Sequence, residues 1–97
     1  MVEPWRIYLD TLHLDAHEAQ AAAWARDEAV RQRAHDAYRA TADALTAQGW
    51  AADDALLLTR GFGQDVLNWL DHGAPGPEDL RQRLEARWKA WTQRDAR

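Results

Sequence analysis

The pattern of apolar and polar residues along the chain predicts helices from one end to the other. The longest helical stretch covers residues 15–48, begins at the acidic cap Asp15, and contains neither Gly nor Pro. It is rich in Ala, Arg, Gln and Glu, which lose little conformational entropy on entering a helix. Gly49 is expected to end it, with Trp50 folding back onto Leu45 in a Schellman motif.

Three shorter stretches complete the predicted architecture. A first helix covers residues 4–14 and either bends near Leu14 or continues into the long helix. A second stretch, 53–72, follows a short connection, and a last helix covers residues 77–94 after a turn rich in Pro and Gly. The predicted fold class is all-α: one small domain of three to four helices, built on one long Ala-rich helix and joined by short loops that favour antiparallel neighbours.

The stretch 53–72 is the most apolar part of the chain. Its large apolar residues cover about half of the helical circumference, which predicts a core helix with at least two neighbours. Leu57 is the exception, because it falls on the polar side. The glycines in residues 61–63 weaken this helix, so it either breaks there or lets another helix pass closely.

Composition excludes several classes of site. The chain of 97 residues has no Cys, which removes disulfides, thiolate nucleophiles and Cys-based zinc sites. Its apolar runs fall far short of the roughly 18 residues of a membrane span, and no signal-peptide pattern is seen, so we expect a soluble cytoplasmic protein without membrane contact. Six Trp are unusual for this length and are expected to fill gaps between Ala-lined helices. The abundance of Ala and Arg is typical of a GC-rich bacterial genome.

The net charge of −4 is unevenly distributed, and its distribution bears on nucleic acid binding. Residues 81–97 are basic, and cations interleaved with Trp are typical of surfaces that track phosphates and stack bases. A nucleic-acid-binding regulator is therefore an alternative function. Its candidate residues are Arg81, Arg83, Arg87, Lys89 and Arg94. However, Trp88 and Trp91 share the apolar stripe of the last helix, so we expect them to be buried, and the acidic stretch 51–80 would repel DNA.

A second alternative is a metal-binding bundle. On a continuous helix Asp10, His13 and His17 lie within about 60° of one another, an arrangement that suits a two-His-one-carboxylate site. The other interpretation is that they are surface polar residues beside the core stripe. Because no His-Glu-x-x-His motif accompanies them, we expect no tight metal site and no cofactor.

The leading hypothesis is a non-enzymatic interaction or regulatory module that binds a protein partner, itself included. The sequence offers no arrangement of residues for nucleophilic or acid–base catalysis. The predicted long helix measures about 50 Å, whereas the later two measure about 30 Å and 27 Å and leave its N-terminal half uncovered. A second subunit would cover that surface, although a fold-back near Arg26 and Asp27 would instead give a compact monomer. The predicted partner surface consists of Leu9, Leu12, Ala16, Ala19, Ala23, Trp24 and Tyr38.

Overall fold

A computed structural model describes residues 2–12, 28–73 and 76–95 of the chain. Those residues form four α-helices and contain no strand. The helices are α1 (Pro4–Leu12), α2 (Glu28–Ala47), α3 (Ala52–Asp71) and α4 (Pro77–Asp95). The predicted all-α class is therefore confirmed. No helix in these ranges is long and apolar enough to cross a membrane.

Helix α2 ends as the sequence predicts. Gly49 has a φ of 104°, a left-handed conformation that its missing Cβ permits. The N–H of Trp50 donates to the carbonyl of Leu45 at 3.1 Å, and the N–H of Gly49 donates to Thr46 at 3.0 Å. These two bonds define a Schellman motif, and the Trp50 side chain packs against the buried Leu45. The first part of the predicted long helix, residues 15–27, lies outside the described residues, so its continuity with α2 stays a prediction.

Helix α3 runs without a break through Gly61 and Gly63. A Cβ at position 61 would lie 2.5 Å from Nη1 of Arg87, a residue of α4. A Cβ at position 63 would meet its nearest neighbours, among them Ala34 of α2, at an ordinary 3.9 Å. The sequence left two explanations open for these glycines: a break in the helix, or the close approach of another helix. The structure has no break, and at position 61 the approach is made by the Arg87 side chain of α4.

The apolar half of α3 forms the centre of the core, as the sequence predicts. All three other helices contact it. Its fully buried large side chains are Leu58, Phe62, Val66, Trp69 and Leu70. The indole Nε1 of Trp69 donates to the carbonyl of Gly76 at 3.0 Å, which ties the end of α3 to the start of α4.

The short helix α1 packs alongside α2. The Tyr8 hydroxyl donates to the Ala34 carbonyl at 3.0 Å, and the Arg33 guanidinium donates to the Leu12 carbonyl at 3.0 Å. Trp5, Tyr8 and Leu12 recur at spacings of three and four and are all buried. Contacts within the chain therefore bury this stripe.

Candidate functional site

The structure separates the members of the predicted partner surface. Leu12 is fully buried in the core, so its assignment to an exposed surface is corrected: it shares the stripe of Tyr8, which faces α2 and α3. Leu9 and Tyr38 are half-buried and pack against the same core. The remaining four positions, Ala16, Ala19, Ala23 and Trp24, lie outside the described residues.

The predicted metal ligands fall mostly outside the described ranges. Asp10 is exposed on α1, whereas His13 and His17 lie beyond what the structure describes. Within residues 2–12, 28–73 and 76–95, no three His, Asp or Glu side chains are grouped so that they could hold an ion. The metal hypothesis therefore stays untested.

Four of the five cations proposed for nucleic acid binding lie within 4.0 Å of carboxylates of the same chain. Arg81 binds both Glu78 and Glu85, and the latter also lies 4.0 Å from Lys89. Arg83 donates to Asp79 at 2.7 Å. These are exposed or half-exposed pairs one turn apart on α4, and they neutralise the charge that a phosphate backbone would meet.

Arg87 makes a longer-range pair that joins α4 to α3. Its Nε and Nη2 donate to the two carboxylate oxygens of Asp65 at 2.6 and 2.9 Å, a bidentate arrangement. These hydrogen bonds raise the pKa of the Arg87 guanidinium, although its partial burial opposes the rise. Arg94 instead lies over the Trp91 ring, 4.0 Å from its centroid, in a cation–π contact.

Three tryptophans cluster where the α2–α3 connection meets α4. The ring of Trp50 lies 6.1 Å from those of both Trp88 and Trp91, and the pair with Trp91 is stacked. All three rings are half-buried and pack against the core. The expectation that Trp88 and Trp91 are buried is therefore only partly right, because each keeps an exposed edge.

Next to this cluster, α3 and α4 enclose an open cleft of about 680 Å³. Among the apolar side chains that line it is Leu57, which is 56% exposed. We call the following set the Leu57 surface: Leu57, Ala86, Ala90, Trp91 and Arg94. The sequence held a signal for it, since Leu57 was the one large apolar residue of its helix that fell on the polar side. What the sequence did not show is that Trp91 and two exposed alanines of α4 lie beside it.

A second, smaller cleft of about 320 Å³ lies between α2 and α3. It contains Tyr38, whose ring meets that of His35 edge-on at 5.1 Å between centroids. Arg31, at one end, is bound to Asp71 at 2.7 Å. Arg31 thus links α2 to α3 through Asp71, whereas Arg60 of α3, which also lines this cleft, is exposed.

Comparisons of the chain with protein-family models, with curated proteins and with solved structures find no match. Functional inference therefore rests on the surfaces themselves. In the part of the chain that the structure describes, two large apolar side chains remain exposed: Val2, which lines smaller clefts beside Trp5 and beside Trp50 and Trp88, and Leu57. Leu57 is slightly the more exposed of the two and lies on the 680 Å³ cleft with Trp91.

Proposed function

We propose that this chain is a small non-enzymatic interaction module that acts through a protein–protein surface, and that it works as a homodimer. The observation that supports this most directly is the exposure of Leu57 on α3, the helix that supplies more core residues than any other described helix. Full burial of a Leu side chain is worth about 1.5–3 kcal/mol, and a partner that covers Leu57 would recover the exposed part of that free energy.

The residues around Leu57 are of the kinds that contribute most to protein interfaces. Trp and Arg are enriched among interface residues whose truncation costs the most binding free energy. Trp91 and Arg94 provide both beside Leu57, already held together by their cation–π contact. Such a preformed pair loses little conformational entropy when a partner covers it.

The α4 side of the surface favours a helical partner. Ala86 and Ala90 are one turn apart and exposed, so a partner helix can approach the α4 backbone closely. The neighbouring polar groups, Arg83 and Arg87, are held in ion pairs within the chain. These pairs favour a structural role for the polar groups over acid–base chemistry.

The oligomeric state tests the proposal. Light scattering coupled to gel filtration should give twice the chain mass of 11.1 kDa at tens of micromolar. Substituting Leu57→Ser should shift the protein toward the monomer, because the exposed apolar contact is removed. Val2→Ser is the matched control, since Val2 is similarly exposed, at 53%, but lies outside the Leu57 surface.

Two results would count against the proposal. A mass of one chain across the accessible concentration range would remove the homodimer. If the Leu57→Ser and Val2→Ser proteins have the same mass in solution, any dimer forms without the Leu57 surface. In that case the N-terminal surface predicted from the sequence, probed with Ala19→Glu plus Ala23→Glu, becomes the interface to examine.

A further inference from the structure

The outer face of α3 carries charges without partners on both sides of Leu57. Asp53, Asp54 and Arg60 are all exposed. Among the residues that the structure describes, none of the three makes an ion pair. Acids therefore precede the exposed Leu57 by one helical turn, and a cation follows it by one turn.

We propose that two copies of the chain pair through α3 in antiparallel orientation, about a two-fold axis at Leu57, with Asp53 of each copy against Arg60 of the other. This inference rests on the proposed homodimer and specifies its interface. It places the contact on α3, in contrast to the N-terminal half of the long helix that the sequence alone suggested.

Helical geometry gives the register. Relative to Leu57, Asp53 lies about 40° to one side and about 6 Å toward the N-terminus. Arg60 lies about 60° to the same side and about 4.5 Å toward the C-terminus. The two-fold axis is perpendicular to the helix axis and to the line that joins the two facing helices. It reverses each residue's offset along the helix axis and leaves the residue on the same side of the interface. Asp53 of one copy thus comes beside Arg60 of the other, about 1.5 Å apart along the axis, and the pair occurs twice.

The other side of the face is complementary as well. Asp54 lies about 60° to that side, at the height where the second copy presents Gly61. The guanidinium of Arg87 covers Gly61: its Nε and Nη2 bind Asp65, whereas Nη1 is the atom nearest to the glycine. Asp54 of one copy therefore faces the Nη1 of Arg87 in the other.

A second copy fits this face better than an unrelated protein because the face is complementary to itself. A two-fold interface uses the same patch twice, so each charge must find its opposite within that patch. The same axis brings both α4 helices to one side, where Ala86, Ala90 and Trp91 of the two copies oppose each other. This contact adds apolar area, which matters because stable interfaces bury roughly 1,200–2,000 Å² in total.

The decisive experiment is a mixing test by sedimentation equilibrium with Asp53→Arg and Arg60→Asp. Each variant alone places like charges at both contacts, so its dimer dissociation constant should rise about tenfold. An equimolar mixture restores both pairs: the two substituted positions carry opposite charges and meet at one contact, and the unchanged Arg60 and Asp53 meet at the other. The mixture should therefore dimerise about as tightly as the unmodified chain, and the doubly substituted chain should do so alone.

Control variants carry the same charge changes on the far side of the core. Asp10→Arg and Arg6→Asp lie on α1, whose Tyr8 contacts Phe62 on the face of α3 opposite to Leu57. Neither control should change the dissociation constant, and their mixture should behave like either one alone. Circular dichroism of every variant checks that the helices are retained.

The outcomes separate this inference from the proposed function. An unmodified chain that sediments as a monomer removes the homodimer and the inference together. A dimer that survives Asp53→Arg and Arg60→Asp, or one that mixing does not restore, overturns the α3 register alone. If Ala19→Glu plus Ala23→Glu splits that dimer, the homodimer stands and its interface is the N-terminal one.

Discussion

The hydroxyl of Tyr8 donates a 3.0 Å hydrogen bond to the backbone carbonyl of Ala34, 26 positions further along the chain. Tyr8 is fully buried, and its ring lies 5.5 Å from that of Phe62 in α3. One side chain of the shortest helix thus bonds to α2 while packing on α3. The contact gives α1 a fixed position on the bundle.

Removing that hydroxyl tests how much the bond stabilises the fold. We expect Tyr8→Phe to lower the free energy of unfolding by about 1 kcal/mol, because the ring packing is kept and one buried hydrogen bond is lost. Urea denaturation measures the change. Tyr38→Phe is the comparison: its hydroxyl makes no hydrogen bond with described residues, and its substitution should have little effect.

The same residue predicts a loss of stability at alkaline pH. Burial, and secondarily the negative charge of Asp65, raise the pKa of the Tyr8 hydroxyl. In the unfolded chain this group titrates at about pH 10. Its contribution is therefore complete below that pH and falls above it, by about 1.4 kcal/mol per pH unit, until the folded protein also ionises. Unfolding curves of the Tyr8→Phe protein at rising pH should lack this decline, and an equal decline in both would contradict the assignment.

The two glycines of α3 should respond differently to alanine. Gly63→Ala should stabilise the protein by up to about 1 kcal/mol, since the new Cβ meets its neighbours at ordinary contact distance. Gly61→Ala should gain less, because its Cβ displaces the Arg87 guanidinium and strains its pair with Asp65. In an Arg87→Ala background the gain at position 61 should return to its full size. Equal effects of Gly61→Ala in both backgrounds would show that the displacement costs nothing.

Thr41 carries a buried hydroxyl that lacks a hydrogen-bond partner among the described residues. Thr41→Val keeps the shape of the side chain and removes the unpaired group, so we expect a free energy of unfolding that is unchanged or higher by about 1 kcal/mol. Thr59 is the matched control, because its equally buried hydroxyl donates to the Ala55 carbonyl at 2.8 Å. Thermal unfolding should rank Thr41→Val above Thr59→Val, and the reverse order would refute the prediction.

We expect no high-affinity binding to double-stranded DNA at physiological salt. The net charge is −4, and the cations Arg83 and Arg87 are paired with carboxylates of the chain. A gel-shift titration with random duplex checks this. Submicromolar binding that weakens steeply with salt and is lost in the Arg83→Glu, Arg87→Glu double variant would support a nucleic-acid function instead.

What the sequence predicted correctly was local. The end of α2 at Gly49 depends on one residue that tolerates a positive φ and on its immediate neighbour Trp50. The core role of α3 follows from the spacing of apolar residues on one helix. The hydrogen bonds that end α2 join residues a few positions apart, and the apolar pattern of α3 lies within a single helix.

What the sequence did not reveal depends on which helix lies beside which. Leu12 was assigned to a partner surface, yet α1 packs on α2 and buries it. The pairing of Arg87 with Asp65 joins positions 22 apart, and no spacing rule for a single helix indicates it. Leu57 could be recognised as an exception to the apolar pattern, but its proximity to Trp91 follows only from the packing of α4 on α3.

The stacking of Trp50 on Trp91 has a consequence for the order in which the chain folds. Helices α2 and α3 are joined by a short connection, so their contacts require little loop closure and should form early. The ring of Trp50 finds Trp91 only after α4 has docked. We therefore expect Trp91→Ala to accelerate unfolding while leaving the refolding rate nearly unchanged, which places the aromatic cluster on the native side of the kinetic barrier.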